Sequence, residues 1–156
     1  MTRLAIFGLA AFTLVLGGLA QASAEERGDS PQCNNETLKG PYGFTLTGWR
    51  VPTPDTNTRS ARAGVGRLVF DGRGNLSGTE TKSRDGVIIP VSVSGTYQVN
   101  TDCTGSGHIL TNDPGGPGEQ DRNFNFVIIE RGEQVMAIQT DQGRAVTVIL
   151  TQQRAK

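Results

Sequence analysis

The sequence predicts an all-β fold: a single antiparallel meander β-barrel of about eight to nine strands at roughly ten-residue spacing. Three observations carry that expectation. Short segments alternate apolar and polar residues with a period of two, turn residues separate them, and a helical period is nearly absent. The 21 glycines among 156 residues recur between these segments, where they suit tight turns and bends. A two-sheet β-sandwich is the second architecture compatible with the pattern, but consecutive hairpin-like connections favour the barrel.

In chain order, Asn34 to Lys39 is the one stretch that suits a turn or two of helix, stopped by Gly40-Pro41. Tyr42, Phe44 and Leu46 then alternate as a strand. Trp49 breaks their parity, which suggests a bulge or a strand end with partial exposure. Val51 to Arg59, with Pro52 and Pro54, reads as a loose loop. Leu68 and Phe70 lead into a hairpin turn over Asp71-Gly72-Arg73-Gly74-Asn75, and Leu76 to Lys82 follows as a half-polar strand. Asp85-Gly86 turns the chain into Val87-Ile88-Ile89. Pro90 interrupts the ladder as an edge, bulge or bend, and Val91, Val93, Tyr97 and Val99 share one face beyond it. Thr104 to Thr111 is the next strand, and Asn112 to Asp121, rich in Gly and Pro, reads as a long loop. Three strands close the chain, around Phe124/Phe126/Ile128, Val135 to Thr140, and Val146/Val148/Leu150.

The N-terminus reads as a secretion signal. Arg3 supplies the basic n-region, Leu4 to Ala20 the apolar run, and Ala22-Ser23-Ala24 the small-x-small cleavage pattern. Cleavage after Ala24 leaves 132 of the 156 residues, one domain's worth. Residues 25–32 are expected as a flexible N-terminus, 33–152 as the barrel and 153–156 as a C-terminal tail. The expected location is outside the cytoplasm, periplasmic or extracellular, with no membrane insertion after cleavage. Without Arg3, the 15 basic residues become 14 against 15 acidic ones, a net charge of −1. So even a balance argues against nucleic acid as a partner, which demands a basic face. Cys33 and Cys103 are the only cysteines; in an oxidising compartment they allow one intramolecular pairing, a structural disulfide.

Three segments carry a resemblance: Cys33 to Phe44 (CNNETLKGPYGF), Phe70 to Gly78 (FDGRGNLSG) and Gly95 to Gly105 (GTYQVNTDCTG). Together they resemble a group of small exported bacterial proteins of unknown function, over a stretch from Cys33 to about Leu150. The resemblance implies a shared barrel-like fold with both cysteines in the pattern, and brings no activity with it. More distantly, strand number and size are similar to calycins and allene-oxide-cyclase-like barrels, a likeness that transfers no site residues.

No catalytic residue, metal ligand set or cofactor motif is expected. Gly74-Asn75-Leu76-Ser77-Gly78 misplaces its serine for a nucleophile elbow, and Gly64-Val65-Gly66 and Gly72-Arg73-Gly74 lack the following helix that would bind a phosphate. With both cysteines oxidised, one histidine cannot complete a zinc site. Asp71, Asn75, Asp113, Glu119 and Asp121 are oxygen ligands of the kind calcium takes, but without the EF-hand spacing, and such residues also serve turns. Four polar strand residues are candidates for ligand binding: Glu80, Tyr97, His108 and Gln139. Glu80 shares parity with Leu76, which points it inward; Gln139 is opposite in parity to Met136 and Ile138. The leading functional expectation is an exported protein binding a small apolar or amphipathic ligand inside the barrel. The alternatives are a surface or periplasmic interaction module using Trp49 and the 112–121 segment, and a cofactor-free isomerase or cyclase using Glu80, Tyr97 or His108.

Overall fold

The computed structural model describes residues 32–54, 57–113 and 118–154. The expected signal segment, nearly all of the expected flexible N-terminus and residues 155–156 lie outside them. Eight antiparallel strands close into a barrel in simple chain order: β1 (Gly40–Arg50), β2 (Ser60–Phe70), β3 (Asn75–Arg84), β4 (Val87–Val99), β5 (Thr104–Asp113), β6 (Gly118–Ile129), β7 (Gln134–Gln139) and β8 (Arg144–Gln152). The seam is the β1–β8 ladder, which pairs Phe44 with Leu150 and Thr47 with Thr147. Closure leaves no long free edge, so backbone groups find partners around the ring.

Alternation fills the lumen. Tyr42, Phe44 and Leu46 on β1, Leu68 and Phe70 on β2, Val91, Val93 and Tyr97 on β4, Phe124 and Ile128 on β6, and Val146, Val148 and Leu150 on β8 are all buried. Trp49 stands on the outer face of an uninterrupted β1–β2 register, so its parity needs no bulge; Arg59 stacks over its ring at 4.6 Å. Strong coiling in so small a barrel brings neighbouring strands close. A Cβ on Gly78 would lie 1.9 Å from the Arg67 carbonyl oxygen, so only glycine fits there.

Two expectations change. Val87 to Val99 is one continuous strand with Pro90 opposite Thr81. Pro90 is tolerated because the β5 ladder begins at Ser92, leaving β4 an edge strand at that point. The long loop expected over 112–121 is mostly strand, since β5 and β6 stay paired as far as Asp113 and Gly118. The C-terminal tail is also held at its start, where the Gln153 amide donates to the Pro41 carbonyl at 2.8 Å.

One end of the barrel is plugged. Asn34 caps a 3-10 turn over Asn35–Leu38, with reciprocal side-chain bonds to and from Thr37 and Glu36. Leu38 enters the barrel, 1 % exposed. Asn35 ties the turn to β4, accepting from the Val99 amide at 2.8 Å and, through its carbonyl, from the Tyr97 hydroxyl at 3.0 Å. The Cys33–Cys103 disulfide fastens the same segment to the β4–β5 turn, with the two Cα atoms 4.9 Å apart. Beneath the plug, Tyr42, Phe70 and Tyr97 pack edge to face at 5.2 and 5.1 Å.

The β2–β3 turn owes its shape to Asp71. One of its carboxylate oxygens accepts from the amides of Arg73, Gly74 and Asn75 at 2.7–3.0 Å, and the other from the Asn75 side chain at 2.7 Å. The Asn75 side chain, then these amides, lower its pKa from 3.8 to about 2. A depressed carboxylate stabilises the fold above its unfolded pKa, and the contribution is lost as pH falls through the folded value. The stability difference between wild type and Asp71→Ala is therefore expected to be constant above about pH 5 and to shrink steadily as pH falls from there through about 2, read by denaturant melts across that range. A difference that stays unchanged from about pH 5 down to about pH 2 would refute this assignment. These bonds account for Asp71 and Asn75 as turn residues.

Candidate functional site

The lumen has two unlike halves. Towards the plug lies an apolar cavity of about 70 Å³, lined among others by Phe44, Leu46, Leu68, Phe124, Ala137 and Leu150. Towards the end opposite the plug, the inward-facing positions become basic. Arg62, Lys82, Arg122 and Arg144 line a smaller space of about 20 Å³ together with Glu80 and Gln139. Lys82 and Arg122 are 3 % and 8 % exposed. Arg50 and Arg84, half-buried at the ends of β1 and β3, lie close enough to act electrostatically on Arg62 and Arg144.

The register sharpens this picture. Arg50 lies directly opposite Arg144 across the β1–β8 seam, and Arg62 directly opposite Arg84 across β2–β3. Like charges in such positions destabilise a sheet. Burial and then the neighbouring cations Arg84, Arg144, Arg122 and Arg50 lower the Arg62 pKa to about 10. Burial and then Arg50 and Arg122 lower that of Arg144. The Arg62 Nε is buried without a hydrogen-bond partner among the described residues.

Carboxylates at this end are mostly engaged. Asp85 accepts from the Ser60 hydroxyl at 2.7 Å and the Ala61 amide at 2.8 Å, which holds its pKa below the usual carboxylate value. Asp141 accepts from Gln139 at 2.7 Å and from the Asn123 amide and side chain at 3.0 and 2.9 Å. Burial raises its pKa, but these bonds outweigh burial and leave it lowered. Glu80, 4 % exposed, faces Arg122 at 3.4 Å through one oxygen, and its other oxygen has no partner among the described residues. The buried Thr111 hydroxyl lacks one as well.

The four residues singled out from sequence separate. Glu80 and Gln139 both point inward at the basic end, as parity with Leu76 indicated for Glu80. Gln139 settles inside because Val135 and Ala137 share its phase, while Met136 and Ile138 are exposed. Tyr97 lines the apolar cavity, but its hydroxyl is occupied by the plug and by the Gly72 amide at 3.0 Å. His108 stands on the outer face, its Nε2 2.6 Å from Asp121. That exposed pair sits on a shallow groove with Ser106, Asn123 and Asn125, with no cavity to shut out water. Glu80, Tyr97 and His108 therefore do not converge as an acid–base set.

No protein-family model, no curated protein and no solved structure matches the chain. Among the described residues no group of three or more His, Cys, Asp or Glu is placed to hold a metal ion, and no helix is long and apolar enough to cross a membrane. What the sequence reading missed is the basic mouth. Its signal was present: Arg50 is in phase with Leu46, Arg62 with Leu68, Lys82 and Arg84 with Leu76, Arg122 with Phe124, and Arg144 with Val146.

Proposed function

We propose that this is an exported, calycin-like binding protein that takes a small amphipathic molecule into its lumen, with the polar part of the molecule at the end opposite the plug. The observation that carries the reading is the division of the lumen into a plugged, mostly apolar half with unfilled space and a basic half at the other end. The cavity of about 70 Å³ is mostly apolar, with Glu80, Thr111 and Arg122 also in its lining. Leaving such a space empty costs about 24 cal/mol per Å³, or about 2 kcal/mol here. An apolar tail of a few carbons regains that, which is too little for tight binding by itself. The disulfide is consistent with an oxidising compartment, and the predicted signal segment supports export.

A second reading, an interaction module, is favoured by a different feature. Val127, Met136, Ile149, Thr45 and Val65 form one outward row across five strands by direct register, and the four large apolar members are 41–57 % exposed. Such rows mark contact surfaces when they are contiguous. One experiment separates the two. Titration with n-pentanol, followed by methyl NMR, is expected to shift Leu68 and Leu150 in the lumen and to leave Ile138 and Ile149 in place. Ala137→Leu, which fills the cavity, is expected to abolish those shifts. Shifts confined to Ile138 and Ile149 would overturn the lumen reading in favour of the outer surface.

A further inference from the structure

We infer that the end of the barrel opposite the plug is a built anion site, and that the ligand's polar end is an oxyanion, a carboxylate or its phosphate or sulfonate equivalent. The inference rests on the lumen-binding reading and names the class of headgroup it takes.

Six basic side chains, Arg50, Arg62, Lys82, Arg84, Arg122 and Arg144, occupy inward positions on five different strands at one end of the barrel. Chance does not favour this placement, because each occurs in phase with the core residues of its strand rather than on the solvated outer face. Arg50 stands directly opposite Arg144 across the β1–β8 seam, a like-charge arrangement that costs stability and that a negative charge between the two would relieve. Among the described residues, Glu80 is the one carboxylate lining this space, and it meets Arg122 at 3.4 Å. Asp85 and Asp141 accept their hydrogen bonds from Ser60, Ala61, Asn123 and Gln139 and act on Arg62, Arg84 and Arg144 through space. The buried Arg62 Nε lacks a hydrogen-bond partner among the described residues. A guanidinium offers a planar fork that matches the two oxygens of a carboxylate or phosphate. An oxyanion at the mouth would satisfy that donor, lie between the opposed arginines and leave its apolar substituent directed at the cavity below.

The test compares two ligands of equal tail. At fixed ionic strength, n-pentanoate is expected to bind at least tenfold more tightly than n-pentanol. In Arg62→Gln and Arg144→Gln that advantage is expected to fall below threefold, with pentanol binding unchanged. Both variants relieve a like-charge pair, so their melting temperatures without ligand should equal or exceed that of the wild type, which verifies folding. Inorganic phosphate alone is expected to raise the melting temperature of the wild type and to raise that of the variants less. Equal affinity for pentanoate and pentanol, with lumen methyls shifting for both, would overturn the anion site and leave the lumen reading standing. Phosphate stabilisation lost in the variants, with neither pentanol nor pentanoate reaching the lumen methyls, would uphold the anion site and overturn the lumen reading. Absence of binding by all three probes would overturn both.

Discussion

Replacing Cys33 and Cys103 together by serine is expected to lower the unfolding free energy by about 4 kcal/mol, the chain-entropy value for a closed loop of about 70 residues. The bond joins the plug to the β4–β5 turn across a sequence separation of 70, so its loss frees the longest constrained segment of the unfolded chain. The plug has other attachments: the Asn35 bonds to Val99 and Tyr97, the Cys33 amide bond to the Thr101 carbonyl at 3.2 Å, and buried Leu38. These hold the native geometry without the bond, so the variant should still fold. Urea denaturation of the double variant and of the reduced wild type should give the same loss. A loss below about 1 kcal/mol would mean that the reduced unfolded chain is already compact, against the assumption of the entropic account.

The second large effect lies at the lone inward carboxylate. Glu80→Leu is expected to cost about 3 kcal/mol, at the lower end for removing one partner of a buried pair because the 3.4 Å contact is loose. The substitution leaves Arg122, 8 % exposed, without the carboxylate it meets. Arg122→Leu is expected to cost only about 1 kcal/mol, less than the usual penalty, because Glu80 keeps Lys82 and Arg62 around the same space. Combining the two should cost less than Glu80→Leu alone, a negative coupling that a double-mutant cycle reads directly. Equal losses for the two single variants would show that the surrounding cations do not compensate Glu80, and would sink this account of the mouth.

Where one face of a strand is uniformly apolar, as for Phe124, Phe126 and Ile128 or Val91, Val93 and Tyr97, its inward side was legible from alternation alone. The turns at Asp71 to Asn75 and Asp85-Gly86 were legible too, because positive φ at Asp85 (51°), Gly86 (87°) and Gly72 (80°) is what Asp and Gly tolerate. Alternation failed on β7, where both faces are apolar and Gln139 marks the inner one. At Pro90 it left edge, bulge and bend open, and the structure selects the edge, since a proline signals a missing donor but not whether a partner strand is there to need it. The mouth was hidden for a different reason. Near-zero net charge describes the sum of a chain's charges and not their placement, and only closure of β1 on β8 brings Arg50 against Arg144.

That seam also bears on how the barrel assembles. Seven of the eight ladders join strands adjacent in sequence, so each can zip up locally; the eighth must bring Thr47 to Thr147, 100 residues away. With the disulfide in place, the covalent path shortens to 14 residues from Thr47 back to Cys33 and 44 from Cys103 on to Thr147, 58 in all. Loop-closure entropy grows only with the logarithm of length, so the shortcut lowers the cost of this last encounter by about 0.5 kcal/mol. Folding should therefore quicken only about twofold when the bond is formed first. Most of the bond's effect should instead appear as slower opening of the finished barrel.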